Sequence, residues 1–127
     1  MHASIVLVES PEGIPLVEDP TKPTPHLWKL PGGRGEYGET ALQTAWRELR
    51  EETGITVPTE SLKLIQQVDR GNHTLYCFSV TLPALEELAE RGEEGEEIRL
   101  FSQKEIGRLG QEFLESHRTI LKSLGIL

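Results

Sequence analysis

GRGEYGETALQTAWRELREETGI, residues 33–55, decides the reading of this chain. Thr40 followed three residues later by Gln43 is a capping-box pair, and Gly54 supplies a left-handed stop, so the spacing predicts a helix over Ala41–Thr53. At about 100° per residue, with Glu48 as the origin, Ala45, Leu49, Leu42 and Trp46 fall between roughly 60° and 160°, a core-facing stripe of ordinary width. Glu48, Glu51 and Glu52 occupy an arc of roughly 100° beside that stripe, where they can line a cleft at the helix's edge. Like charges three and four residues apart destabilise a helix by roughly 0.2–0.5 kcal/mol per pair, and Arg47 is the nearby cation on that side of the helix. Carboxylate clusters without thiol or imidazole suit hard divalent cations, Mg²⁺ or Mn²⁺, which keep several waters and bind phosphates alongside them. A solvated acidic face is the plainer alternative.

On the N-terminal side, Ala3–Glu9 and Ile14–Val17 are β-branched apolar runs around Ser10-Pro11-Glu12-Gly13 and read as a hairpin. Asp19–Pro25 carries three prolines and reads as a loop; Leu27–Leu30 is a short strand stopped by Pro31-Gly32-Gly33. On the C-terminal side, Ser61–Asp69 and His73–Leu82 flank Arg70-Gly71-Asn72 as a second hairpin. A glutamate-rich loop, Glu86–Glu97, leads to a strand over Ile98–Phe101, and Gln111–Leu124 is periodic enough for a closing amphipathic helix.

The chain has 127 residues, the size of one domain, and one domain over residues 1–127 is the expectation. Its composition, 36% hydrophobic and 27% charged, is too apolar for a disordered chain, and no run approaches the roughly 20 apolar residues of a membrane span. A net charge of −8 repels polyanions and makes generic nucleic-acid binding a poor reading. Cys77 stands alone and the N-terminus lacks a secretory pattern, so a reduced, cytoplasmic protein is expected; a homodimer is compatible with the sequence.

The spacing from Gly33 through five residues to Glu39, then seven residues to Arg47-Glu48-Leu49-Arg50-Glu51-Glu52-Thr53-Gly54-Ile55, resembles the Nudix box at every specified position. Leu30-Pro31-Gly32-Gly33 ahead of it is also similar to the family. The resemblance implies an α/β (α+β) chain folded as an αβα sandwich, with a mixed β-sheet between helices. It also implies metal-dependent hydrolysis of a diphosphate bond in a nucleoside diphosphate linked to another moiety. Carried over residue by residue, Glu51 and Glu52 would be primary metal ligands, Glu48 a further ligand or the base, and the Gly32 carbonyl would complete the shell. Glu39 would be a water-mediated ligand or an orienting partner of Arg47, and Arg47 would hold carboxylates in place. Such a site would use Mg²⁺ or Mn²⁺ as Lewis acid and activator of water.

Arg34 follows the glycines where a cation could reach phosphate, and Trp28 and Phe101 could stack on a base, although aromatics in short strands are core more often than platform. Glu94 and Glu97 are candidates for an extra ligand or general base, because the family often delivers one from a loop at this point. Trp46 and Cys77 read as core, and His26, His73 and His117 show no metal-ligand spacing; His2 falls in a terminus expected to fray. The expected substrate is a small nucleotide, such as a nucleoside triphosphate or dinucleoside polyphosphate. A pyrophosphohydrolase of RNA 5′ ends, and a non-catalytic Nudix-fold module that senses a nucleotide or binds a partner, are the alternatives.

Overall fold

The computed structural model describes residues 1–20 and 23–127. Strand β1 (His2–Glu9) lies at its centre. The run Ile5-Val6-Leu7-Val8 is buried throughout, as expected of a strand covered on both faces. β2 is Ile14–Glu18, β3 is Trp28–Lys29 and β4 is Gly32–Arg34; after helix α1 (Ala41–Thr53) come β5 (Lys63–Asp69), β6 (Thr74–Thr81) and β7 (Glu97–Phe101). β1 pairs parallel with β6 and antiparallel with β4, and β5 completes a mixed sheet of order β4-β1-β6-β5. The remaining strands make a second, antiparallel sheet of order β3-β2-β7. Helices α2 (Gln103–Arg108) and α3 (Glu115–Ser123) end the chain.

Alternation along β1 divides the interior in two. Val6 and Val8 join Ala45 and Leu49 of α1 with Phe78 and Val80, whereas Ile5 and Leu7 join Leu16, Trp28, Phe113 and Leu121 on the opposite face. The mixed sheet is therefore sandwiched between α1 and a layer made of α3 and the small sheet. This is the expected α+β class, with the strands divided between two sheets where one was expected.

Helix α1 has the expected bounds and caps. Gln43 N–H donates to Thr40 Oγ1 at 3.1 Å, Thr40 N–H donates to Gln43 Oε1 at 2.9 Å, and Gly54 at φ +80° donates to the Arg50 carbonyl. The second hairpin is present as β5 and β6. The first is not: residues 10–13 do turn, with Gly13 N–H on the Ser10 carbonyl, but β1 and β2 enter different sheets. Both edges of β1 are taken, by β4 and β6, so none remains for β2. Of the loop expected over Asp19–Pro25, residues 21 and 22 lie outside the described residues, and the rest carries neither helix nor strand.

The closing helix is shorter than the expected Gln111–Leu124. Gly110–Glu112 is a 3₁₀ turn and Phe113 is extended and 2% exposed, because its ring fills the core and Leu114 N–H donates to the Trp28 carbonyl. Helix α2 was not expected; six residues interrupted by Gly107 give no readable period, although the Ser102 and Glu105 capping box that starts it is present in the sequence. His2 does not fray: it is paired with Thr74, and its Nε2 lies 2.8 Å from Thr44 Oγ1. Trp46 is half-buried against the α1 core and donates to the Val57 carbonyl.

Gly54 and Gly38 share φ +80°, but a Cβ would meet the Glu87 carbonyl at 2.9 Å at Gly54 and nothing within 4 Å at Gly38. Gly38→Ala should therefore cost only the backbone contribution of about 1 kcal/mol, and Gly54→Ala clearly more, because the 86–96 loop must also shift. Chemical denaturation of both variants measures the difference, and equal losses would contradict this packing.

Candidate active site

Strand β4, the acidic edge of α1 and the 86–96 loop enclose a cleft of about 530 Å³ whose lining includes Gly32, Glu48, Glu51, Glu52, Glu94 and Glu96. Each wall has a local cause. β4 is placed by its pairing with β1, and the Val6 N–H donates to the Pro31 carbonyl at 2.8 Å. The capped helix presents its carboxylates beside the buried stripe. The loop is fastened to the helix's C-terminal carbonyls, which have no partner within the helix: Ala89 N–H donates to the Thr53 carbonyl and Glu93 N–H to the Glu51 carbonyl, both at 2.8 Å.

Arg47 organises the acids. Its Nε donates to Glu39 at 2.6 Å, its Nη1 to Glu48 at 2.9 Å and Glu51 at 3.0 Å, and its Nη2 to Glu39 at 3.0 Å and the Arg34 carbonyl at 3.1 Å. Glu39 also accepts from the Glu36 N–H and the Thr44 hydroxyl. The Arg47 guanidinium, helped by those two donors, holds the Glu39 carboxyl at about 2, and the carboxylates in turn raise the Arg47 pKa.

Glu52 is in the opposite situation. It is 9% exposed, its Oε1 accepts from the Gly32 N–H at 2.8 Å, and the Lys29 ammonium lies 3.4 Å away while donating to the Gly32 carbonyl at 3.0 Å. Burial nevertheless pushes its carboxyl up to about 7, with the charges of Glu48 and Glu96 adding to the shift. Burial also raises Glu48 against the pull of Arg47. A Cβ on Gly33 would meet the Glu48 carboxylate at 2.8 Å, so glycine here leaves that carboxylate its place.

The expected candidates are thus sorted. Glu48, Glu51, Glu52, Gly32, Arg34 and Glu94 line the cleft, and Glu39 is the partner of Arg47. Glu97 begins β7 in register with Glu18 and lies outside the lining. Trp28 and Phe101 are not offered as a stacking platform: they are 6% and 7% exposed and pack edge to face at 5.2 Å in the core. Five lining residues are not among the sequence candidates: Asp19, Glu36 and Glu93, together with Glu96 and Lys29. Glu96 is 5% exposed and accepts the Glu94 N–H, but nothing in a run of glutamates marks which one turns inward. Lys29 had one signal, a charge in an apolar strand immediately before Leu30-Pro31-Gly32-Gly33.

No three carboxylate, thiol or imidazole groups among the described residues converge closely enough to enclose a metal ion. The donor chemistry still fits one: the cleft offers carboxylate oxygens with no thiol or imidazole, and burial raises the pKa of two of those carboxylates.

A carboxyl raised from its ordinary value to about 7 favours folding at low pH and loses that contribution as the pH rises toward 7. At about 1.4 kcal/mol per pH unit the effect reaches a few kcal/mol at most. Metal-free wild type should therefore gain stability relative to Glu52→Gln between pH 7 and about pH 4.5. Parallel melting curves across that range would contradict the burial of a charged Glu52.

A family model described as the NUDIX domain matches residues 1–124. Over 71 residues the chain is 43% identical to nucleoside diphosphate-linked moiety X motif 6 of Xenopus laevis, covering 56% of this chain and 31% of that one. Over 84 residues it is 33% identical to phosphatase NudJ of Escherichia coli K12, covering 64% and 55%. The chain thus spans about a third to a half of the length of these curated relatives. Among solved structures, a MutT from a study of Aliivibrio salmonicida and Vibrio cholerae superposes with TM-score 0.75 at 26% identity, covering 96% of this chain and 94% of that one. A bifunctional NMN adenylyltransferase/ADP ribose pyrophosphatase of Francisella tularensis, complexed with AMP and a manganese ion, gives 0.77 at 26% identity over 97% of this chain and 40% of that one. Because the match takes in the glycine strand, the capped helix with its carboxylates and the loop that closes the cleft, this chain belongs to the NUDIX domain family.

Proposed function

We propose that the protein hydrolyses a diphosphate bond in a nucleoside diphosphate linked to another moiety, with Mg²⁺ or Mn²⁺ held by Glu48, Glu51, Glu52 and the Gly32 carbonyl. The observation that carries this reading is the grouping of Glu48, Glu51 and Glu52 on one wall of the cleft, where burial raises the pKa of Glu48 and Glu52 against the pull of Arg47 and Lys29. A divalent cation offsets the cost of keeping them ionised. Its affinity for phosphate oxygens then brings in a substrate that a protein of net charge −8 would otherwise repel. The manganese ion and AMP in the Francisella relative are in keeping with it. A small nucleotide such as a nucleoside triphosphate or dinucleoside polyphosphate, in a cytoplasmic setting, is the substrate class proposed.

When bound, the metal supplies Lewis-acid stabilisation of phosphate charge and lowers the pKa of an attacking water. The chain's own residues do the positioning. Arg47 holds Glu48 and Glu51 on one side of the cleft, and the Gly32 N–H fixes Glu52 Oε1, with the Lys29 ammonium beside both Glu52 oxygens. Glu94 and Glu96, on the facing loop, are acids within the same cleft that can accept a proton from water.

Release of phosphate or pyrophosphate from a panel of nucleotides should require Mg²⁺ or Mn²⁺ and vanish with EDTA; activity that survives chelation would refute the mechanism. Glu51→Gln and Glu52→Gln should each lower kcat by at least about a hundredfold, the scale of about 2.7 kcal/mol in the transition state. The control Glu87→Gln removes the same charge from an exposed position outside the cleft lining and should leave kcat nearly unchanged. Similar small effects in all three would reduce the acidic edge to solvated surface.

A further inference from the structure

Behind β4, sharing Lys29, Gly32, Gly33 and Arg34 with the acidic cleft, lies a second recess of about 300 Å³. Its character is the reverse of the cleft's. The floor is apolar, from Ala3, Ile5 and Leu75, and its lining contains neither a carboxylate nor a tryptophan, tyrosine or phenylalanine. Arg34 and Arg70 border it, and among the described residues neither guanidinium has an ion pair or side-chain hydrogen bond. In a chain with 13 basic and 21 acidic residues, two unpaired arginines on one recess call for an anion.

A second, independent observation is His117, 5% exposed, at the start of α3. Its Nδ1 accepts the Leu30 N–H at 3.1 Å, which leaves the proton of the neutral ring on Nε2. The ring stays neutral because burial, reinforced by the charges of Lys29 and Arg70, pushes its pKa down to about 3. Nε2–H has no acceptor among the described residues, and the ring lines the recess. Helix α3 starts here without a side-chain cap, so its positive end also faces this region.

We propose that this recess is an anion subsite for a phosphate group carried by the moiety beyond the diphosphate, with Arg34 and Arg70 as counter-charges and His117 Nε2–H as the directional donor. The proposal rests on the reading of the acidic cleft as a diphosphate site, and it narrows the substrate to diphosphates whose other end bears its own phosphate. With no tryptophan, tyrosine or phenylalanine in its lining, the recess offers a bare nucleobase only imidazoles to stack on.

The test begins without turnover. Metal-free ¹⁵N-labelled protein is titrated with ribose 5-phosphate and, as control, ribose, following the Leu30 amide and the His117 ring nitrogens. Saturable shifts with the phosphate alone, weakened about tenfold by Arg70→Gln and restored by Arg70→Lys, are expected; tenfold corresponds to about 1.4 kcal/mol. Equal responses to both sugars, or a Kd unaffected by Arg70→Gln, would overturn the subsite. Because no bond is cleaved, an inactive protein would count against the hydrolase reading alone. The second arm compares ADP-ribose with ADP-ribose 1″-phosphate, in which the moiety beyond the diphosphate carries the added phosphate. The phosphorylated partner should have about tenfold higher kcat/KM in the parent, and that preference should collapse toward unity in Arg70→Gln. If ribose 5-phosphate instead alters ADP-ribose turnover while the two nucleotides are cleaved equally well, the recess binds a separate effector and the assignment to the substrate fails.

Discussion

The guanidinium of Arg47 sets the geometry of the cleft. It bonds Glu39, Glu48 and Glu51 together with the Arg34 carbonyl, so one side chain ties the acidic edge of α1 to the segment that precedes the helix and to the end of β4. Without it, several half-buried carboxylates would face one another unpaired, an arrangement that costs roughly 3–5 kcal/mol when one partner of a buried pair is lost. The distribution of its bonds matters more than their number. Glu39 takes the shortest and becomes a fixed anion, whereas Glu52 receives none and is left to Lys29 and a backbone N–H. Two carboxylates on the same short segment therefore end at opposite extremes, one at about 2 and the other at about 7.

That division was partly legible in the sequence. The helical wheel places Glu48, Glu51 and Glu52 beside the apolar stripe because helix periodicity is local and the caps at Thr40 and Gly54 fix its phase. The partnership of Glu39 with Arg47 was one of two readings and is the one observed. Lys29 and Glu96 reach the cleft through tertiary placement, one on a strand paired with β2 and the other on a loop docked to α1, and no local pattern encodes either. The aromatic candidates failed for a related reason. Trp28 and Phe101 alternate inward on strands of the small sheet, and strand periodicity alone does not tell which face of that sheet is covered.

The same limit explains the first hairpin. Alternating runs around a four-residue turn describe local chemistry that is present, yet pairing depends on which edges are free, and β1 has none left. A buried central strand is also what allows two sites of opposite charge to sit back to back. β4, at the edge of the mixed sheet, has the carboxylates of α1 on one side and the arginines and His117 on the other, with only three residues of backbone between them.

The 86–96 loop is held to α1 through main-chain atoms, Ala89 and Glu93 N–H on helix carbonyls. Every amino acid except proline carries that donor. The attachment is thus indifferent to side-chain identity at those two positions, so Ala89 and Glu93 can be exchanged, by drift or by a designer's library, without unfastening the loop. The helix supplies a constant socket, and variation at those two points can reshape the wall of the cleft that faces the carboxylates while the buried Glu96 and the tightly packed Gly92 keep their places.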